Sequence, residues 1–130
     1  MKKTKFVFLV LPNIHLMDLA GPDQVFLEAA GYNAPFEIEY CSTEKSLSSS
    51  AKLPIGKLNH FSKIKIEEND FLLIPGAELN YILSDEFKTN KSLFSWIRNC
   101  RDKKIKICSI CSGAFVLAES GVLEGKKCTT

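Results

Sequence analysis

Short, continuously apolar runs alternate along this chain with segments whose apolar residues recur every three or four positions. Phe6-Val7-Phe8-Leu9-Val10-Leu11 and Phe71-Leu72-Leu73-Ile74 contain no polar residue, as expected of central strands covered on both faces. Ile105 to Ile110 reads as a further strand. Phe36-Glu37-Ile38-Glu39-Tyr40 alternates strictly, which predicts a strand with one wet face. Between these runs, Pro22, Val25, Phe26 and Ala29 fall at helical spacing, with Gly31 placed to end the helix. Leu93, Trp96, Ile97 and Cys100 predict the buried face of a helix capped by Ser92. Ala114 to Ala118 is apolar nearly all round, predicting a buried helix that Gly121 ends. Glu44 to Lys57 is rich in Ser, Lys, Pro and Gly and predicts loops with a short hairpin. Its Ser48-Ser49-Ser50 run is too brief to link domains. No internal repeat is present. Strands alternating with helices predict an α/β fold with a doubly wound, largely parallel sheet.

A length of 130 residues gives room for one hydrophobic core, so residues 1–130 are read as a single domain. The formal charge of +2 comes with no basic stripe, and nothing argues for direct nucleic-acid binding by this chain. Met1-Lys2-Lys3-Thr4-Lys5 and the apolar run after it resemble a signal peptide only superficially. The run is short, and Pro12-Asn13-Ile14-His15 follows it without a small-residue cleavage site. No segment is long enough to span a membrane. Five cysteines, an odd number, favour free thiols and a reducing cytoplasm. Cys108 and Cys111 have C-x-x-C spacing, but Cys108 falls within a strand. Residues three apart on a strand face opposite ways and lie roughly 10 Å apart, too far for a disulfide. Two histidines and no zinc-like cluster give no metal-ligand spacing and imply no cofactor.

The candidate chemistry lies where strands end. In doubly wound sheets, ligands bind at the C-terminal rim, and three loops should meet there: Pro12 to Asp18, Pro75 to Glu78, and the corner at Cys111. Ile107-Cys108-Ser109-Ile110-Cys111-Ser112-Gly113-Ala114-Phe115 is a strand running straight into a helix. Cys111 sits at the corner, where helix-start amides and the helix dipole favour thiolate. Ser112 and Gly113 are small enough for a tight turn, and the Ser112 amide is the natural first oxyanion donor. Pro75-Gly76-Ala77 offers a second donor, with Gly76 permitting an unusual backbone that aims the Ala77 amide inward. Asp18, at the entrance of the first helix, supplies a carboxyl group as acid or base. Taken singly, these residues also read as a turn glycine, a helix cap and a small buried cysteine.

Three stretches carry a family resemblance over nearly the whole chain. Pro12 to Phe26 resembles the first strand-to-helix connection of the ThiJ/PfpI superfamily, and Ile74-Pro75-Gly76-Ala77 its Pro-Gly-Gly loop. Cys111 to Lys127 resembles its nucleophile elbow and following helix. The resemblance implies a flavodoxin-like fold of the class I glutamine amidotransferase type. It makes Cys111 the match of the family nucleophile, Asp18 that of the acidic residue in contact with it, and Ser112 that of the small hydroxyl residue after the nucleophile. Ala77 departs from the second glycine, and its methyl group tightens the loop. Family members continue past Thr129-Thr130 with a histidine and further elements, so the resemblance implies a C-terminally incomplete domain. A histidine partner for Cys111 is then missing unless His15 or His60 substitutes. His15 lies on the correct loop with its direction unknown, and His60 falls in a polar region and reads as solvated.

Around Asp18 and Cys111 the chain is similar to the N-terminal domain of AraC-type transcriptional regulators, and also to isonitrile hydratase. Two functions follow as expectations. The first is a ligand-sensing, dimerising domain that binds a small molecule, with DNA bound only through a C-terminal domain absent from this chain. The second is a cysteine-dependent hydratase, amidase or glyoxalase-like enzyme using Cys111 and Asp18. A redox-sensing thiol without turnover is a third reading of the same corner.

Overall fold

The computed structural model describes residues 2–130. Five parallel strands form the sheet: β1 (Thr4–Leu9), β2 (Phe36–Ser42), β5 (Asn59–His60), β6 (Phe71–Ile74) and β7 (Lys106–Ser109). Their order is β5-β2-β1-β6-β7. The chain builds outward from β1 first towards β2 and β5, then reverses to add β6 and β7 on the other side. The switch point therefore lies between β1 and β6, where a crevice opens at the strands' C-terminal ends. A separate hairpin pairs β3 (Leu47–Ser48) with β4 (Pro54–Ile55), as the sequence predicts for that region.

The unbroken apolar run of β1 follows from its place between two packed layers. Val7 and Leu9 face a large core completed by Leu72 and Ile74, by Leu93 and Ile97 of α4 (Lys91–Asp102), and by Val116 and Leu117 of α5 (Gly113–Ser120). Phe6 and Phe8 face a smaller core under α1 (Leu16–Gly31), where the Phe6 ring stacks on Phe26 at 4.0 Å and on Phe71 at 4.8 Å. In β2, Phe36 and Ile38 join this smaller core, while Glu37 and Glu39 turn the other way towards Lys5. The sheet is thus doubly wound and parallel, with helices on both faces.

Several local expectations need correction. Asn90, not Ser92, caps α4: its side-chain oxygen accepts the Leu93 amide at 3.2 Å, and the Ser92 hydroxyl merely donates to that same oxygen. Trp96 is only half-buried, and Phe94 takes a core position instead. No residue of α1 is fully buried, and Val25, expected inside, is 64% exposed. One helix over one half of a sheet buries a narrow stripe, and Phe26 occupies it. Asn33, in the left-handed region at φ 68°, makes the turn after α1. Gly121 does end α5 in a left-handed cap at φ 82°, but Phe115 and Ala118 on that helix are exposed rather than buried. The short helices α2 (Leu79–Ile82) and α3 (Asp85–Lys88) and the two-residue edge strand β5 carry too little pattern to be read from the sequence.

Candidate functional site

The three rim loops converge. After β1 the chain carries Ile14, which bridges to Ser49 of the hairpin and to Ala77 of the loop after β6. The His15 amide donates to the Gly76 carbonyl at 2.8 Å, and the Glu78 amide to the Asn13 carbonyl at 3.1 Å. These bonds dock the start of α1 against the Pro75 loop. Asp18 is the third residue of α1. Pro22 lacks the N–H that would bond to the Asp18 carbonyl, so the helix leaves that carbonyl without its usual i+4 donor.

The elbow is held from the other side. Ile110 donates to the Ile74 carbonyl at 3.0 Å, and Gly113 donates to Ile110 at 3.0 Å. Between them Cys111 is forced to φ 52°, a conformation that costs a non-glycine residue about 1–3 kcal/mol. Gly113 is required by contact: a Cβ there would lie 2.0 Å from the Ile74 carbonyl oxygen. The outcome is an exposed Cys111 side chain on a backbone held by hydrogen bonds on both sides.

Ser112 closes the gap between elbow and loop. It is buried, and its hydroxyl donates to the Ala77 carbonyl at 2.7 Å while accepting the Ala77 amide at 3.0 Å. This alters the expected oxyanion site. The Ala77 amide, expected as second donor, is taken by Ser112, and the Gly113 amide is taken by Ile110. Among the described residues, the amides of Ser112 and Gly76 have no protein partner and remain free to meet a ligand. Gly76 is itself a cradle. A Cβ there would stand 2.7 Å from Asp18 Oδ2, 2.7 Å from Ser112 Oγ and 3.1 Å from the Ser112 nitrogen.

The acid sits in this cradle with an unmet need. Asp18 Oδ2 is buried and has no hydrogen-bond partner, an arrangement that costs free energy unless a ligand, a cation or a proton supplies one. His15 Nδ1 stands 3.8 Å away. One donor atom each from His15, Asp18 and Cys111 lies within 4.8 Å of the other two. Spacing along the chain does not show this grouping, because its members come from two separate loops. His60 is elsewhere engaged: its ring nitrogen accepts the Ser62 amide and bonds to the Ser62 hydroxyl. An open cleft of about 450 Å³ lined by His15, Glu78, Leu79 and Asn80 borders the site. All five cysteines are free thiols. Burial pushes the Cys108 thiol upward and Cys100 to about 11. Burial also raises Cys41, with the Glu39 carboxylate adding to the effect.

Comparison with known proteins agrees with this architecture. A Streptomyces lividans protein described as "Uncharacterized protein in cpoL 5'region" is 25% identical over 131 residues, covering 97% of this chain and 86% of its own. The fold matches that of a ThiJ/PfpI family protein from Pseudomonas syringae, with TM-score 0.77 and 23% identity over 96% of this chain and 49% of the other. It also matches an AraC family transcriptional regulator from Pseudomonas putida, with TM-score 0.75 and 17% identity over 96% of this chain and 65% of the other. The chain thus spans between half and two-thirds of these two structures, and at such identities the likeness shows the fold alone. Among the described residues no helix is long and apolar enough to cross a membrane. The sequence model of the DJ-1/PfpI family matches residues 4–130, and with the elbow, the acid and the glycine loop in place, the chain belongs to the DJ-1/PfpI family.

Proposed function

We propose that this chain is the N-terminal ligand-sensing and dimerising domain of an AraC-type transcriptional regulator acting in the cytoplasm. The observation that carries this reading is the buried Asp18 Oδ2, which has no hydrogen-bond partner among the described residues. Ser112 holds the Ala77 amide within the protein, which leaves other groups to meet a ligand. What remains is a recognition site: an unpartnered Asp18 oxygen, two free amides at Gly76 and Ser112, and an exposed Cys111. A carboxylate in that position suits a ligand that donates hydrogen bonds, and a small amine- or amide-bearing metabolite has that chemistry. The fold shared with the Pseudomonas putida regulator supports the reading. Apolar side chains of α1 on the surface, Met17, Val25 and Leu27, support self-association. DNA would be bound by a further domain, since this chain presents no basic recognition helix. The test is the coding sequence beyond Thr130. Two helix-turn-helix patterns there agree with the proposal, and a stop soon after the completed α/β domain contradicts it.

A second reading is favoured by the strained, exposed Cys111 beside two titratable side chains. In a cysteine-dependent hydratase or hydrolase, the Cys111 thiolate would add to an electrophilic carbon of the substrate. Asp18 would deliver and recover the proton, and the Ser112 amide would hold the developing negative charge. Ser112 would serve through its backbone, because its hydroxyl is committed to Ala77.

A further inference from the structure

We infer that His15, Asp18 and Cys111 form a three-ligand site for a divalent transition metal of borderline softness, with Zn²⁺ the best fit. The inference stands on these three side chains and holds whether the domain senses or converts its ligand. An imidazole nitrogen, a carboxylate oxygen and a thiolate sulfur are the donors zinc selects, at about 2.0–2.3 Å each. Tetrahedral geometry at those lengths places donors about 3.3–3.8 Å apart. His15 Nδ1 and Asp18 Oδ2 already stand at 3.8 Å, and all three donors lie within 4.8 Å. The excess over tetrahedral spacing is about 1–1.5 Å at most. His15 and Cys111 reach the site from its solvent side, and each keeps a substantially accessible side chain.

Two further features fit a cation. The buried, unpartnered Asp18 Oδ2 gains a partner on binding. The backbone around it is rigid: the His15 amide is bonded to Gly76, Gly76 leaves no room for a side chain, and the elbow is locked to Ile74. On binding, the Cys111 thiol gives its proton to solvent and its sulfur lone pair to the metal, with no change in oxidation state. Three protein ligands leave a fourth position open, as in zinc sites that bind an exchangeable water or ligand. The thiolate and imidazole select Zn²⁺ or Co²⁺ over harder cations such as Mg²⁺, which prefer oxygen ligands.

Co²⁺ titration of the reduced protein tests this directly, because cobalt–thiolate bonding gives a near-ultraviolet charge-transfer band. The expected result is one equivalent bound with that band, displaced by Zn²⁺. Cys111→Ser should abolish the band. His15→Ala should weaken binding by about 100-fold or more, since even outer-shell partners of metal ligands are worth about 10–100-fold. Cys128→Ser and His60→Ala should leave both unchanged. Circular dichroism of each metal-free variant checks that it folds, and the partly exposed His15 side chain makes its variant the secure one. A band that survives Cys111→Ser, an affinity indifferent to His15→Ala, or no binding at millimolar Co²⁺ would each overturn the inference.

Discussion

Ser112 and Ala77 are locked to each other across the rim of the sheet: one hydroxyl both donates to the Ala77 carbonyl, at 2.7 Å, and accepts the Ala77 amide, at 3.0 Å. Ala77 is buried, and among the described residues neither its amide nor its carbonyl has another partner. Removing the hydroxyl strands a donor and an acceptor together. Ser112→Ala should therefore cost about 2–4 kcal/mol, the penalty for leaving two buried polar groups unmet. Urea denaturation measures it, and a loss under about 0.5 kcal/mol would show that the pair does not hold the loop to the elbow.

Cys111 pays for its position in backbone strain. At φ 52° a side chain is disfavoured, and glycine is not. Cys111→Gly should be more stable than Cys111→Ala by about 1 kcal/mol, and Cys111→Val should be the least stable of the three, because β-branching crowds that region further. Equal stabilities across the series would mean the elbow relaxes and stores no strain.

Gly76 and Gly113 should differ sharply when each is replaced by alanine. At Gly113 the new methyl group meets the Ile74 backbone at 2.0 Å, and the expected cost is about 3 kcal/mol or more. At Gly76 the 2.7 Å clashes are with Asp18 Oδ2, which can swing away, and with Ser112 Oγ, which moves only by giving up its bonds to Ala77. Gly76→Ala should keep the fold at a cost of about 1–3 kcal/mol while displacing Asp18 from the site. Thermal denaturation separates the two, and similar melting temperatures would contradict the contacts.

The thiols should react in an order set by burial. Iodoacetamide at pH 8 should label Cys111 and Cys128 first, both exposed, with Cys41 and Cys100 protected. The Cys100 thiol, raised from 9.0 to about 11 by burial, has a consequence for stability. Above pH 9 the unfolded chain ionises this thiol and the folded chain does not, so the unfolded state releases more protons. Stability should fall as pH rises from about 9 to about 11, and Cys100→Ala should flatten that fall. A fall of unchanged steepness in the variant would assign it to other groups.

The layout of the fold was legible because its main strands are strong signals. A central strand such as Phe6 to Leu11 must feed both layers, and its lack of polar residues says so. The edge strand β5 was not legible, since Asn59 and His60 owe their pairing to the exposed side of β2 and to nothing in their own pattern. At the site, the sequence identified Cys111, Asp18 and the glycine loop, because each sits at a strand or helix end with a distinctive composition. It did not disclose that Ser112 occupies the Ala77 amide or that His15 faces Asp18. The first depends on a contact between loops 35 residues apart, of which local spacing holds no record, and the second on a side-chain direction that a separation of three residues does not fix.

The most direct test of sensing against turnover is the fate of an electrophile at Cys111. Metal-free protein should be mixed with methylglyoxal, and separately with an isonitrile, with product and protein mass followed together and Cys111→Ser as the control. A recognition site predicts at most one stoichiometric event per chain, confined to Cys111, and no continuing product formation. Many turnovers per chain, abolished by Cys111→Ser, would contradict the sensing account and make the corner at Cys111 an active site.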